Sequence, residues 1–172
     1  IDNTVLSPLL PKTVTISGTN VFSGNAGVGL IVLSAGVITL NNVTAESNGL
    51  QGAYLSNSAT TTPAGVTLTG TNKFNSNGGS SALYIESKGL ISIANITASS
   101  NTAGEGASLN NSVSGATAGV TLSGINTFSS NFTNGLTVVS NGAITISNLT
   151  VILSQNGYGA SLYNIGTPSN VS

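Results

Sequence analysis

A seven-residue segment recurs three times along this chain, and its spacing constrains the fold more than any other feature. Val-Thr-Ile-Ser-Gly-Thr-Asn at 14–20 returns as Val-Thr-Leu-Thr-Gly-Thr-Asn at 66–72 and as Val-Thr-Leu-Ser-Gly-Ile-Asn at 120–126, at spacings of 52 and 54 residues. Gly36, Gly89 and Gly142 lie 53 residues apart. Three copies of a unit near 53 residues therefore cover almost the whole chain, and a fixed period of this size is typical of repeat architectures.

Each unit divides into two halves that carry related marks. The first half has Phe followed three residues later by Asn (22–25, 74–77 and 128–131), and the second has Ala or Leu followed by Asn (45–48, 98–101 and 153–156). Successive Asn residues of this series are 23, 29, 24, 30 and 25 positions apart, so short and long half-units alternate. The extra residues fall in small, polar stretches at 56–64 and 110–118, which we predict to be loops.

The repeated segments have the pattern of short β-strands. Residues 66–69 and 144–147 alternate apolar and polar side chains with period two. Five Asn-Gly pairs, at 48, 77, 134, 141 and 156, suit turns, and no stretch has a helical period of useful length. A half-unit with three short strands and three bends is one coil of a parallel β-helix. Six such coils, about 4.8 Å apart, would form a rod on the order of 30 Å long.

The composition agrees with stacked coils and excludes several functions. Ser (26), Thr (22), Asn (22) and Gly (22) make up 92 of the 172 residues, whereas only seven residues are charged. In a solenoid each side chain faces its own equivalents above and below, so a column of like charges would repel itself. Without a basic patch, nucleic-acid binding is not expected. With no Cys or His, the usual zinc, haem and iron–sulfur ligands are absent, and no apolar run approaches a membrane span.

The repeat also predicts the organisation of the chain. We assign residues 14–65 to repeat 1, 66–119 to repeat 2 and 120–167 to repeat 3. Residues 1–13 form the tail of a preceding coil or an N-terminal strand, and 168–172 form the start of a further repeat. Pro11, Pro63 and Pro168 support these limits, because each precedes a valine by three residues. No amphipathic helix would cap either end, so we expect the array to continue covalently or to stack on a neighbour.

Three sets of polar residues are the candidate functional positions. An asparagine at a bend can bond to the coils on either side of it, which predicts a structural ladder of Asn25, Asn48, Asn77, Asn101, Asn131 and Asn156. Sequons in register across the repeats make Asn42, Asn95 and Asn148 candidate glycosylation sites. Outward hydroxyls on one flat face are predicted for Thr15, Ser17, Thr39, Thr67, Thr69, Ser92, Thr121, Ser123, Thr145 and Ser147; regular Thr arrays of this kind are similar to the ice-binding faces of some antifreeze proteins.

Catalytic chemistry is not indicated by the few ionisable residues. When the repeats are aligned, Glu46, Glu86 and Glu105 fall on three different columns, so no carboxylate pair is evident. The three lysines form no patch, and no serine has a histidine or a nearby lysine to activate it. We therefore expect no enzymatic activity, no cofactor and no metal.

The coil length, the Phe-x-x-Asn marks at 22–25, 74–77 and 128–131 and the Gly-Val-Thr-Leu-type strands carry a resemblance. Over roughly residues 5–172 the chain resembles the right-handed parallel β-helix repeats of bacterial surface proteins, such as polymorphic outer-membrane autotransporters and filamentous haemagglutinin-type adhesins. The resemblance implies an all-β, right-handed parallel β-helix located outside the cell or at the cell surface.

These observations together predict a structural protein. We expect an extracellular β-solenoid that forms or belongs to a cell-surface filament, with another copy of itself, joined head to tail, as its main partner. A first alternative is an adhesin module that binds carbohydrate, ice or another surface through the Thr/Ser/Asn face. A second is a non-catalytic relative of polysaccharide-acting β-helix enzymes.

Overall fold

A computed structural model describes residues 1–4, 12–59 and 62–166 of the chain, and in this part all regular structure is β-strand. The strands form three parallel sheets. Sheet A contains β1 (Asp2–Asn3), β4 (Leu30–Ser34), β7 (Ala53–Ser56), β10 (Ser81–Glu86), β13 (Glu105–Asn111), β16 (Leu136–Ser140) and β19 (Ala160–Asn164). Sheet B contains β2 (Val14–Ile16), β5 (Ile38–Asn41), β8 (Val66–Thr69), β11 (Ile91–Ala94), β14 (Val120–Ser123) and β17 (Ile144–Ile146). Sheet C contains β3 (Asn20–Val21), β6 (Val43–Thr44), β9 (Asn72–Lys73), β12 (Ile96–Ser99), β15 (Asn126–Ser129) and β18 (Leu149–Ile152).

The chain visits the sheets in the fixed order B, C, A, and each such circuit is one coil. Each strand pairs in parallel with the strand three places later in the chain, which is its equivalent in the next coil. The described residues complete six coils, numbered 1 to 6 from β2 to β19, and β1 adds a strand below coil 1 on sheet A. The predicted parallel β-helix of about six coils is confirmed, whereas its right-handed winding stays a prediction.

Inward side chains form apolar columns along the axis. Those of sheet B are Val14, Ile38, Val66, Ile91, Val120, Ile144 and Ile16, Leu40, Leu68, Ile93, Leu122, Ile146. On sheet A a column alternates leucine and alanine, namely Leu30, Ala53, Leu83, Ala107, Leu136 and Ala160. On sheet C, Phe74 and Phe128 are fully buried, and Ala98, the partner of Phe128, is buried as well. In these columns of sheets A and C, odd coils thus contribute the larger side chains and even coils the smaller ones, whereas the first column of sheet B alternates Val in odd coils with Ile in even coils; both patterns let the layers interdigitate.

The bend between sheets B and C also alternates between odd and even coils. Odd coils turn at a glycine with positive φ (Gly18 84°, Gly70 73°, Gly124 70°), where a side chain would be strained. Even coils turn at one asparagine in the same left-handed region (Asn42 49°, Asn95 52°, Asn148 48°), which asparagine tolerates better than most residues. The structural repeat is therefore a pair of coils, which explains the period near 53 residues in the sequence.

The connections between coils lie close to their predicted places. Strand β7 extends through Ser56, which pairs with Glu86 of β10, so the loop predicted at 56–64 is wrong in its first residue. Strand β13 extends through Asn111, so the loop predicted at 110–118 is wrong in its first two residues, which pair with Val139 and Ser140 of β16. Pro11, Pro168 and the predicted further repeat at 168–172 lie outside the described residues.

Candidate functional site

The predicted asparagine ladder joins five consecutive coils at the bend after sheet C. Each carbonyl Oδ1 accepts from the backbone amide of the ladder asparagine in the preceding coil, at 3.0 Å for Asn25 to Asn48, 3.0 Å for Asn48 to Asn77, 2.8 Å for Asn77 to Asn101 and 3.3 Å for Asn101 to Asn131. The Nδ2 groups of Asn25, Asn48 and Asn101 donate to the same acceptors. Four of the five side chains are buried, so the ladder lies inside the rod and satisfies bend amides that water cannot reach.

The sixth predicted member of the ladder is wrong. Val151 pairs with Phe128, so the residue equivalent to Asn131 is Ser154 and not Asn156. The backbone agrees, because Leu153 before Ser154 has a φ of 56° and Ser130 before Asn131 has a φ of 55°. The sequence alignment used Leu153-x-x-Asn156, which is displaced by two residues from the true equivalent, Val151-x-x-Ser154. Asn156 is exposed, and the buried Ser154 Oγ has no hydrogen-bond partner.

A second set of buried asparagines was missed by the sequence analysis. In odd coils, Asn20, Asn72 and Asn126 begin the sheet C strand where even coils have Val43, Ile96 and Leu149. Asn72 and Asn126 are fully buried, and Asn20, in the end coil, is half-buried. The Oδ1 atoms of Asn72 and Asn126 accept from Val43 N (3.1 Å) and Ile96 N (3.3 Å) of the preceding coil. The signal was present, since all three end the recurring seven-residue segment.

A third set closes the bend between sheets A and B. Asn57 and Asn111 are fully buried and donate to backbone carbonyls, for example Asn57 Nδ2 to Ala64 O (2.7 Å) and Asn111 Nδ2 to Ser87 O (2.9 Å). The equivalent positions in odd coils hold Ser34, Ser87 and Ser140, also buried. Asn57 and Asn111 are 54 residues apart and the serines 53, so the repeat itself was the available signal.

The sequon asparagines hold the single-residue bends of even coils. Asn95 Oδ1 accepts from Ile125 N (3.0 Å), and its Nδ2, the atom that would receive a glycan, donates to Gly70 O (3.0 Å). Asn42 Oδ1 likewise accepts from Thr71 N (3.0 Å), and Asn148 Nδ2 donates to Gly124 O (3.0 Å). Each side chain thus bridges two coils. Glycosylation at Asn42, Asn95 and Asn148 stays a prediction.

The predicted hydroxyl face lies on the outside of sheet B. Its first column is continuous through all six coils, in the order Thr15, Thr39, Thr67, Ser92, Thr121 and Thr145. In the second column, Thr69 pairs with Asn41 and Ser123 pairs with Ala94, while Ser17 and Ser147 occupy the outermost coils. A further column was missed on sheet C, where Thr44, Lys73, Thr97, Thr127 and Thr150 follow one another in register.

The carboxylates lie apart, and Glu105 is half-buried. Burial raises the pKa of Glu105 above its usual value, against the hydrogen bonds from Thr137 Oγ1 (3.0 Å) and Asn134 Nδ2 (3.2 Å) to Oε1. Its other oxygen, Oε2, is buried with no hydrogen-bond partner. Glu46, on the sheet C side, accepts from Asn75 Nδ2 at 2.5 Å. Within residues 1–4, 12–59 and 62–166, no three acidic, cysteine or histidine side chains form a group that could hold a metal ion.

The last coil presents an apolar face that inner coils do not. Ile144, Ile146, Leu149 and Val151 point inward and are half-exposed, whereas their equivalents in coil 4 (Ile91, Ile93, Ile96 and Ala98) are at most 1% exposed. The difference arises because coil 4 is covered on both sides, while nothing in the described part of the chain covers coil 6.

Comparisons of this chain with family models, with curated proteins and with solved structures found no match. The described residues form no helix long and apolar enough to cross a membrane.

Proposed function

We propose that this chain is a structural segment of an extracellular or cell-surface fibre, built as a rod whose coils continue from one unit to the next. Every strand is bonded along the axis, so the rod resists bending and exposes few free backbone groups along its length. We propose further that the segment is part of a stalk of the autotransporter or haemagglutinin type. In such a molecule the function is mechanical: the rod is a rigid spacer of fixed length whose side faces are exposed.

The observation that supports end-to-end joining is the match between coil 6 and coil 1. Even coils and odd coils differ in the bend between sheets B and C, and coil 6 is of the even type while coil 1 is of the odd type. The same even-to-odd junction occurs twice inside the molecule, where Val43 N donates to Asn72 Oδ1 and Ile96 N donates to Asn126 Oδ1. Leu149 is the equivalent of Ile96, and Asn20 is the equivalent of Asn126. A coil 1 placed on a coil 6 would therefore form a bond that the fold already uses.

The two ends differ in how much strand edge is free. Among the described residues at the coil 1 end, β2 and β3 are the edge strands of sheets B and C, whereas β4 already pairs with β1 on sheet A. An incoming coil 6 would therefore pair with β2 and β3 on sheets B and C, and its β19 would have to displace β1 to pair with β4 on sheet A. Unpaired parallel edges above an apolar face favour strand addition over exposure to water.

Electron microscopy and analytical ultracentrifugation of the purified chain test this proposal. We expect filaments one β-helix wide whose mass increases with protein concentration. Short monodisperse rods at every concentration would contradict end-to-end assembly of this chain.

A second candidate function is binding to an ordered, hydrated surface such as ice through sheet B. The observation that favours it is the unbroken column of six hydroxyl side chains, which repeats at the strand spacing of about 4.8 Å. Thermal hysteresis measurements test it. We expect hysteresis in the wild type that decreases in Thr67→Val and Thr121→Val; no hysteresis in the wild type would exclude it.

A further inference from the structure

The outer face of sheet A differs from the hydroxyl-covered faces of sheets B and C. Ile31, Tyr54 and Tyr84 follow one another in register on adjacent strands, and Ser108 and Thr137 continue the same column. The ring centroids of Tyr54 and Tyr84 are 5.3 Å apart with their planes tilted by 48°. Ile31 is 41% exposed and both tyrosines are half-exposed, so an aromatic pair stands on a flat side of the rod.

A column of polar side chains runs beside the aromatic pair. Ser56, Glu86 and Asn110 occupy it on three adjacent strands, two residues beyond the Tyr column. Ser58 Oγ donates to Glu86 Oε2 (3.0 Å), which holds the carboxylate in place. Asn110 Oδ1 accepts from Ser112 N (2.9 Å) and Ser112 Oγ (2.7 Å), which fixes that side chain, and burial raises the pKa of the Tyr84 hydroxyl. The rings and the polar groups are thus fixed relative to one another by rigid strands.

We propose that this patch, formed by Ile31, Tyr54, Tyr84, Glu86 and Asn110, binds an extended neutral polysaccharide of β-linked hexopyranoses lying along the rod axis. A hexopyranose has an apolar C–H face that packs on aromatic rings, and hydroxyls at its edge that bond to carboxylate and amide groups. This patch offers both kinds of partner side by side.

The strand spacing and the charge select the type of polysaccharide. Adjacent strands of a sheet are about 4.8 Å apart, and an extended β-1,4-linked chain advances by a similar distance per sugar. Successive sugars would therefore meet equivalent positions on successive coils, whereas a coiled α-1,4-linked chain would not. Glu86 places a negative charge within the patch, which disfavours an acidic polysaccharide. The proposal concerns the side of the rod and does not depend on assembly through its ends.

Calorimetric titration with cellohexaose, maltohexaose and hexagalacturonate tests the proposal, and tyrosine fluorescence gives a second readout because the chain has four tyrosines and no tryptophan. We expect saturable binding of cellohexaose that is about tenfold weaker in Tyr54→Ala and in Tyr84→Ala. Tyr158→Ala is the matched control, because Tyr158 is 70% exposed at a bend away from the patch, and its affinity should equal that of the wild type. Glu86→Gln and Tyr84→Phe, which keep the packing, should bind several-fold more weakly even if an alanine variant fails to fold.

Three results would overturn the proposal. One is no binding of cellohexaose by the wild type up to its solubility limit. Another is an affinity for cellohexaose that is the same in the wild type, Tyr84→Phe and Glu86→Gln. The third is tighter binding of hexagalacturonate or maltohexaose than of cellohexaose, which would mean that the patch selects neither a neutral nor an extended chain.

Discussion

At the scale of single residues, the asparagine ladder depends on position and not on residue type. Asn101 and Asn156 were both predicted to belong to the ladder, yet Asn101 is buried in it and Asn156 is exposed. Asn101 Oδ1 accepts from Asn77 N, and its own amide and Nδ2 donate to Asn131 Oδ1. These three bonds replace water at a buried bend.

Asn101→Ala tests the energetic importance of the ladder. The substitution leaves Asn77 N without its acceptor and Asn131 Oδ1 without its side-chain donor, so we expect a loss of about 2–3 kcal/mol in the free energy of unfolding. Denaturant unfolding measures it. Asn156→Ala is the control, with an expected change below about 0.5 kcal/mol. Equal losses in the two variants would contradict the assignment of Ser154 to the ladder.

Ser154→Asn is expected to stabilise the protein. Ser154 Oγ is buried without a hydrogen-bond partner, and it is too short to reach Asn131 as an asparagine does in the coils below. The longer side chain would accept from Asn131 N and leave its NH2 group toward solvent, which should add about 1 kcal/mol to the free energy of unfolding. The rise should be measurable by thermal or denaturant unfolding. An unchanged or lower stability would show that coil 6 does not adopt the ladder geometry.

Glu105 predicts a pH dependence of stability. Burial raises its pKa in the folded state above the value in the unfolded chain, so the folded state binds the proton more tightly. The contribution of Glu105 to the free energy of unfolding is therefore fully present at pH values below its pKa in the unfolded chain. That contribution is lost as the pH rises through its pKa in the folded state. We expect Glu105→Gln to remove this loss, so that the variant gains stability relative to the wild type between mildly acidic and neutral pH. If the free energies of unfolding of the wild type and of Glu105→Gln changed with pH in the same way, a raised pKa of Glu105 would be contradicted.

At the scale of elements, alternation of large and small side chains sets the two-coil repeat. Phe128 is fully buried between Ala98 of coil 4 and Val151 of coil 6. Leu and Ala alternate in the same way on sheet A, so the Leu residues of that column and the Phe residues of sheet C all lie in odd coils. A single coil of either type could not stack on its own copy without overlap or a void.

Phe128→Ala should destabilise the protein through the cavity that it leaves. Truncation of a buried Phe typically costs about 3–5 kcal/mol, and neighbours fixed in three sheets have little freedom to collapse into the space. Phe132→Ala, which removes the same atoms from a side chain that is 41% exposed, is the control and should cost far less. Urea unfolding of the two variants gives the comparison. Similar costs would mean that the Phe column does not determine the packing.

The sequence predicted the strands and coils more accurately than the side chains that they bury or bring together. Recurrence of the seven-residue segment was sufficient for the 53-residue unit, and the asparagine marks of its two halves were sufficient for the number of coils. The inward asparagines were missed because Asn72 and Asn57 lie in turn-like segments, where asparagine usually faces water. The pairing of Tyr54 with Tyr84 was also not predictable, since the loop between coils 2 and 3 changes length and hides the register.

At the scale of the whole molecule, the lack of charge and the repeat have one physical origin. Only seven of 172 residues are charged, and the outward columns consist mostly of Thr, Ser and Asn, which tolerate their own copies at the strand spacing. The same property removes the long-range repulsion that keeps molecules apart. End-to-end assembly of such rods then depends on the side chains that their end coils expose. Substitutions in coil 6 therefore test the assembly proposal directly.

Leu149→Lys should block assembly at the coil 6 end without disturbing coils 1 to 5. Leu149 points inward and is half-exposed in coil 6, so an isolated rod can let the lysine reach water, whereas a coil docked on top would bury its charge. Thr145→Lys adds the same charge on the outer face of the same coil and should leave assembly unchanged. Sedimentation velocity at several concentrations compares the three proteins. If Leu149→Lys forms filaments as long as those of the wild type, then coil 6 is not the joining surface; if both variants lose them, net charge and not the buried contact is responsible.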